Sequence, residues 1–108
     1  MKFQFNGQTV RIADIHDLSA ASAANFRENV NDCMADHLEL DVDLSQTDFM
    51  DSYGLGALIW ARSITRAHQG RFRVLNPAPR VQFILDLTRT RQSFEVVDGA
   101  QSSHAAAA

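Results

Sequence analysis

The sequence predicts an α/β fold with a mixed, mostly parallel β-sheet that opens with an antiparallel hairpin. The first observation is Asn6-Gly7, a typical hairpin turn between two stretches of alternating apolar residues. The second is that strand-like and helix-like stretches alternate after the hairpin, as crossover connections between parallel strands require. The third is that Leu38–Leu44 alternates apolar and acidic residues, which indicates a sheet that helices do not cover on both faces there.

Size and composition indicate one domain. The chain has 108 residues, and we expect a single domain over 1–98 followed by a flexible tail over 99–108. Because no apolar run approaches about 18 residues and Met1–Phe5 lacks a signal-peptide core, we expect no membrane insertion. Cys33 is the one cysteine, which excludes an intrachain disulfide and favours a cytoplasmic location.

The first half of the chain is predicted to contain the hairpin, a helix and a strand. Alternating stretches over Lys2–Phe5 and Gln8–Ile15 form the two strands of the hairpin. Apolar residues at helical spacing predict a helix over Ser19–Ala35, with Ser19 as its N-cap. Leu38–Leu44 is the clearest strand, since every second side chain is leucine or valine.

The stretch Asp48–Gly70 is predicted to be the end of a strand, a turn and a long helix. Ser52 suits the N-cap, because a serine hydroxyl accepts hydrogen bonds from backbone N–H groups of the first helical turn. Gly54 and Gly56 leave little side-chain bulk over that hydroxyl. The helix carries a core stripe with Leu55, Leu58 and Ile59, and a second apolar stripe that includes Trp60. The tryptophan either packs under a neighbouring helix or is an exposed anchor for a partner.

The last third of the chain is predicted to add two strands and a helix. Phe72–Leu75 reads as a strand, and Asn76–Pro79 as the turn that leads into a helix over Arg80–Leu87. Phe94–Val97 is the final short extended segment.

Charge is distributed unevenly along the chain. Residues 1–54 contain ten acidic and three basic residues (net −7), and residues 55–108 contain three acidic and seven basic ones (net +4), which together give the net charge of −3. The pattern fits either two solvated faces or a polar docking surface for a protein partner. Nucleic acid is not an expected partner, because the arginines are not interleaved with aromatic residues.

The motifs that define common enzymes and metal sites are absent from the sequence. The four histidines lie in different elements without metal-ligand spacing, and Gly54-x-Gly56 is only a fragment of a dinucleotide-binding motif. Met50 stands where the nucleophile elbow of a hydrolase has glycine, and no histidine near Ser52 offers a base. We therefore expect no enzymatic activity, no metal and no cofactor.

A serine at the start of a helix has three possible roles: cap, nucleophile or phosphate acceptor. Phosphate acceptance requires only an exposed hydroxyl, because another protein supplies the ATP and the base. A phosphate on Ser52 adds a charge of about −1.5 to −2, which the helix N–H groups tolerate. Asp48 and Asp51 would make the same spot strongly anionic, so we expect the fold to persist and a partner surface to be lost.

Five short pieces of the chain resemble the STAS domain family, in particular its stand-alone anti-sigma factor antagonists. Asp51-Ser52-Tyr53-Gly54-Leu55-Gly56 is similar to the family's Asp-Ser-(Ser/Thr)-Gly-Leu-Gly signature. The other pieces are Asp43-Leu44-Ser45, Gly70-x-Phe72-x-Val74, Asn76-Pro77-x-Pro79-x-Val81, and Leu85-x-Leu87-Thr88 with Phe94-Glu95-Val96. The resemblance covers residues 38–97 well and residues 1–37 weakly.

The resemblance implies a curved sheet with helices mainly on one face, and a partner switch. In such systems the unmodified domain binds a histidine-kinase-like serine kinase that is also an anti-sigma factor, which frees a sigma factor. The kinase then phosphorylates the residue that matches Ser52, the partners separate, and a PP2C-type phosphatase reverses the modification. The partner-binding residues expected from this resemblance are Asp17, Asp51, Ser52, Tyr53, Gly54, Leu55, Gly56, Ala57 and Trp60. We expect the protein itself to be a monomer or a weak dimer.

Departures from the family pattern leave other interpretations open. Tyr53 and Trp60 replace small residues, and Asp14-Ile15-His16-Asp17 replaces the usual Gly-Glu-Leu-Asp. The output therefore need not be a sigma factor, and Ser52 can be a cap alone. An accessory subunit of a lipid-transport ABC system, bound to its ATPase subunit, is an alternative. A small-ligand sensor is a third, although the sequence identifies no polar pocket for it.

Overall fold

A computed structural model describes residues 1–99; residues 100–108, which hold nearly all of the predicted tail, lie outside the described residues. The strands are β1 (Lys2–Asn6), β2 (Thr9–Ala13), β3 (Asp17–Leu18), β4 (Glu39–Asp43), β5 (Phe49–Met50), β6 (Arg71–Leu75) and β7 (Glu95–Val97). The helices are α1 (Ala23–Met34), α2 (Ser52–Ala67) and α3 (Pro79–Leu87), and a short 3-10 helix at Arg91–Ser93 precedes β7.

Five strands form the main sheet in the order β1-β2-β4-β6-β7. β1 is antiparallel to β2, and the other neighbours are parallel. Gly7, with φ of 62°, and Gln8 form the hairpin turn, while Asn6 still pairs with Thr9 as part of β1. The predicted mixed, mostly parallel sheet with an opening hairpin is therefore confirmed, with the turn one residue later than Asn6-Gly7.

The hydrophobic core lies between one face of this sheet and the helices. Val10, Ile12, Leu40, Val42 and Val74 are fully buried on that face, since every second residue of a strand points the same way. The helices contribute a further fully buried set: Phe26, Val30, Ala57, Leu58, Ala61, Val81 and Leu85. The prediction of helices mainly on one face of the sheet is confirmed.

The opposite face of the sheet is covered by ion pairs. Arg73 donates to both carboxylate oxygens of Asp41, at 2.8 and 2.6 Å, and Arg11 pairs with Asp43. Only 6% of Asp41 and 7% of Asp43 is exposed, so the arginine side chains bury these acids as a second helix layer would. Burial raises the pKa of Asp43, but hydrogen bonds from the Ser45 backbone N–H and from Arg11 outweigh it and leave the pKa below its usual value.

Several element boundaries differ from the sequence prediction by one or more residues, and two of the differences change the role of a residue. Ser22, not Ser19, occupies the N-cap of α1, and its hydroxyl donates to the Asp17 carbonyl at 2.9 Å instead of capping the helix. Leu38 precedes β4 and is 46% exposed, so it does not belong to the apolar face. The N-cap of α1 lies three residues later than predicted and β4 begins one residue later, because neighbouring chain segments decide the backbone path at these ends.

A second sheet, which the sequence did not predict, consists of β3 and β5. Asp17 pairs with Phe49 and Leu18 pairs with Met50 in parallel register. Two-residue strands carry no periodic pattern, so sequence alone does not reveal them. This pairing places Asp17 beside the segment that leads directly into α2.

None of the helices within residues 1–99 combines the length and apolar character that crossing a membrane requires.

Candidate functional site

Ser52 is the first residue of α2, and the residue before it caps the helix. The N-cap is Asp51, in an extended conformation, and its carboxylate accepts from the Gly54 N–H at 2.9 Å. The predicted N-cap role of Ser52 is therefore wrong, because an aspartate one residue earlier reaches the third N–H of the first turn. Ser52 keeps an exposed side chain, and no other group within residues 1–99 is hydrogen-bonded to its hydroxyl.

Asp51 also connects α2 to the segment before α1. Its second carboxylate oxygen accepts from the Ala20 N–H at 3.0 Å. The hydrogen bond from Gly54, followed by that from Ala20, lowers the pKa of Asp51 below its ordinary value, because both donors stabilise the ionised form. The carboxylate thus fixes the loop on which Ser52 is displayed.

This carboxylate gives a pH-dependent prediction. The folded-state pKa of Asp51 is below the unfolded value of about 3.9, so its contribution to stability is present above that pH and is lost as the pH falls through the folded value. We expect Asp51→Asn to lower the melting temperature at pH 7, and the gap to wild type to shrink near pH 3. Thermal unfolding of both proteins measures this, and a gap independent of pH would contradict it.

The two glycines of the first turns have different roles. A β-carbon built on Gly54 would lie 1.8 Å from the Leu18 backbone oxygen, whereas one on Gly56 would have nothing within 4 Å. Gly54 is therefore required where α2 crosses β3, since only a residue without a side chain allows so close an approach. Gly56 leaves an open surface one turn from Ser52.

The structure separates the predicted partner-binding residues into surface and core. Tyr53 is 64% exposed, Asp17 is exposed and Trp60 is half-buried against the core. Leu55 and Ala57 are 8% and 0% exposed, so their side chains stabilise the domain and are not available to a partner. Gly54 is likewise buried, while Asp51, Ser52 and Gly56 remain accessible. That the accessible ones bind a partner stays a prediction.

Two apolar side chains near Ser52 were missed or misplaced by the sequence. Phe49 on β5 is 47% exposed, which a short apolar segment before a helix does not indicate. Ile59 was assigned to the core stripe but is 39% exposed. It follows Ser52 by seven residues, about two helical turns, and therefore lies on the same side of α2.

Within the described part of the chain, no three His, Cys, Asp or Glu side chains are placed to hold a metal ion.

A family comparison decides the relationship of this chain. The sequence profile of the STAS domain matches residues 5–106, nearly the whole chain. The chain belongs to the STAS domain family. No curated protein sequence matches this STAS domain.

Solved structures share the fold of this STAS domain at low sequence identity. A putative anti-sigma factor antagonist of Thermotoga maritima is similar with a TM-score of 0.83 and 18% identity, covering 98% of this chain and 90% of its own. The unphosphorylated form of the anti-sigma factor antagonist SpoIIAA has a TM-score of 0.71 and 17% identity, and the match covers 98% of this chain and 94% of SpoIIAA. The phosphorylated form of SpoIIAA, a Bacillus cell fate determinant, has a TM-score of 0.72 and 17% identity, with 98% and 96% covered.

Proposed function

We propose that this STAS domain is a non-enzymatic regulatory protein, similar to anti-sigma factor antagonists, that works by partner switching through Ser52. The observation that carries the proposal is the position of Ser52. Its side chain is exposed at the first position of α2 and its hydroxyl is not engaged by another group of residues 1–99, because Asp51 does the capping. A modifying enzyme therefore has access to the hydroxyl without unfolding the helix end.

Phosphorylation at this position changes the surface more than the fold. The N-terminus of α2 stabilises added negative charge through the positive end of its dipole. The surroundings are already acidic, since Asp17 and Asp51 lie on the adjoining segments. A partner that docks against an exposed hydroxyl and the apolar side chains near it would meet concentrated negative charge and a cost of desolvation.

The proposed docking surface consists of accessible residues around the start of α2. Tyr53, Gly56 and Trp60 recur at helical spacing and form one side of it. Phe49 and Ile59 add exposed apolar area, which is typical of an interface centre surrounded by polar residues. The partners expected at this surface are a histidine-kinase-like serine kinase and anti-sigma factor, and a PP2C-type phosphatase acting on the modified form.

Incubation with candidate kinases and ATP tests the proposal. We expect intact-mass spectrometry to show the addition of one phosphoryl group to wild type and none to Ser52→Ala. The matched control is Ser63→Ala, which removes another exposed serine of the same helix and should leave phosphorylation unchanged.

Phosphorylation that persists in Ser52→Ala, or none in wild type with a kinase that binds the domain, would contradict the proposed switch.

A further inference from the structure

A basic groove lies at the end of α2 opposite to Ser52. It has a volume of about 380 Å³ and is lined by Arg62 and Arg66 of α2, by the start of β6 and by the segment that enters β7. With a rise of about 1.5 Å per residue, these arginines lie roughly 15 to 20 Å along the helix from Ser52. The proposed switch therefore makes no use of this groove.

Two arginines of the groove have no ion-pair or hydrogen-bond partner among the described residues. Within residues 1–99, neither the Arg62 nor the Arg66 guanidinium has a carboxylate or hydrogen-bond partner. By contrast, the third arginine of the groove, Arg71, donates to both carboxylate oxygens of Glu95 at 3.1 and 2.5 Å. Charge from Arg62 and Arg66 thus remains available to a ligand, while Arg71 is held in place by its neighbour.

The spacing of the free arginines favours an anion between them. Arg62 and Arg66 are four residues apart on one helix, where like charges face each other and repel. The helix dipole stabilises a positive charge in the last turn, which explains the placement of Arg66. It does not explain Arg62, which lies one turn earlier. A bound anion would convert this repulsion into two charge-assisted contacts, and a guanidinium matches the oxygens of a phosphate group.

The rest of the groove contains the Arg71–Glu95 ion pair, two neutral polar side chains and two aromatic ones. Gln92 and Ser93 add an amide and a hydroxyl to the lining. Phe72 and Phe94, which pack in the core with ring centroids 6.0 Å apart, line the groove with the 6% and 8% of their surface that is exposed. The volume falls within the range of small-molecule sites, about 300 to 1,000 Å³, and the groove combines polar side chains with a smaller apolar part.

We propose that this groove binds a small molecule that carries a phosphate group on an apolar body. The phosphate is held by Arg62 and Arg66, and the apolar part contacts the Phe72 and Phe94 side. This site does not include Ser52, so an experiment that refutes ligand binding in the groove leaves the proposed partner switch untouched, and the reverse is also true.

Titration with phenyl phosphate, followed by amide chemical shifts of the full chain, tests the site. We expect saturable shifts confined to residues 70–72, 92–95 and the last two turns of α2. Inorganic phosphate at equal ionic strength should bind several-fold more weakly, because it lacks the apolar body. In the double variant Arg62→Gln/Arg66→Gln, phenyl phosphate binding should weaken at least about tenfold, since both charge-assisted contacts are lost.

The matched control is Arg27→Gln/Arg80→Gln, which removes the same charge from exposed positions outside the groove and should bind phenyl phosphate as wild type does. Glutamine is a good helix former, so both double variants should keep the native amide spectrum. Equal loss of binding in the two variants, or no saturable shift in the groove of wild type, would overturn the assignment.

Discussion

Replacing Ser52 with aspartate is expected to weaken binding of the partner kinase by about a hundredfold or more, whereas Ser52→Ala binds as wild type does. The substitution places a permanent negative charge at the centre of the proposed docking surface, beside Asp17 and Asp51. Like charges brought together in an interface cost several kcal/mol, and each 1.4 kcal/mol is a factor of ten in affinity. Calorimetric titration of the kinase with each variant measures the effect.

The control for net charge is Asn31→Asp, which adds one charge on an exposed position of α1. We expect this variant to bind the kinase almost normally. If Asn31→Asp and Ser52→Asp weaken binding equally, the effect belongs to overall charge and the site at Ser52 is refuted. Circular dichroism of Ser52→Asp should match that of wild type, because an acidic residue in the first turn of a helix is favourable.

Gly54→Ala is expected to destabilise the domain by about 3 kcal/mol, a large part of the stability of a small protein. The added β-carbon would meet the Leu18 backbone oxygen at 1.8 Å, and a backbone atom in a paired strand cannot rotate away as a side chain does. The helix must therefore move off β3, which also disturbs the Asp51 contacts that display Ser52. Urea denaturation monitored through Trp60 fluorescence measures the loss.

Gly56→Ala is the matched control, two residues along the same helix. Its β-carbon would have no neighbour within 4 Å, so the change should stabilise the domain by about 0.5 to 1 kcal/mol through helix propensity alone. Opposite signs for the two substitutions are the expected result. Equal effects would show that the contact of Gly54 with β3 does not limit packing.

The main sheet was predictable because its information is local. Alternating residues and the hairpin turn predicted the strands, and the helix-like stretches between the later strands predicted their mostly parallel arrangement. The pairing of β3 with β5 was not, since it joins residues about thirty positions apart with two residues in each strand. Long-range pairing of such short segments depends on the packed fold and not on any repeating pattern.

The candidate site was predicted in part, and the errors have one cause. Sequence placed Ser52 at the start of α2, but it could not decide which of two adjacent cap-forming residues, Asp51 or Ser52, takes the N-cap. That choice follows from the second contact of Asp51 with Ala20, a tertiary hydrogen bond. Sequence also could not decide that Leu55, named as a partner-binding residue, is buried, or that Ile59, assigned to the core stripe, is exposed. The positions of the neighbouring elements decide which side of the helix is buried.

The ion-paired face of the main sheet has a consequence for self-association. Charge alternates from strand to strand: Arg11 on β2, acids on β4, arginines on β6 and Glu95 on β7. In-register stacking of identical strands from many chains, as in amyloid, would place acid on acid along β4 and arginine on arginine along β6. The charges that hold the native strand order therefore also oppose fibril growth through these two central strands.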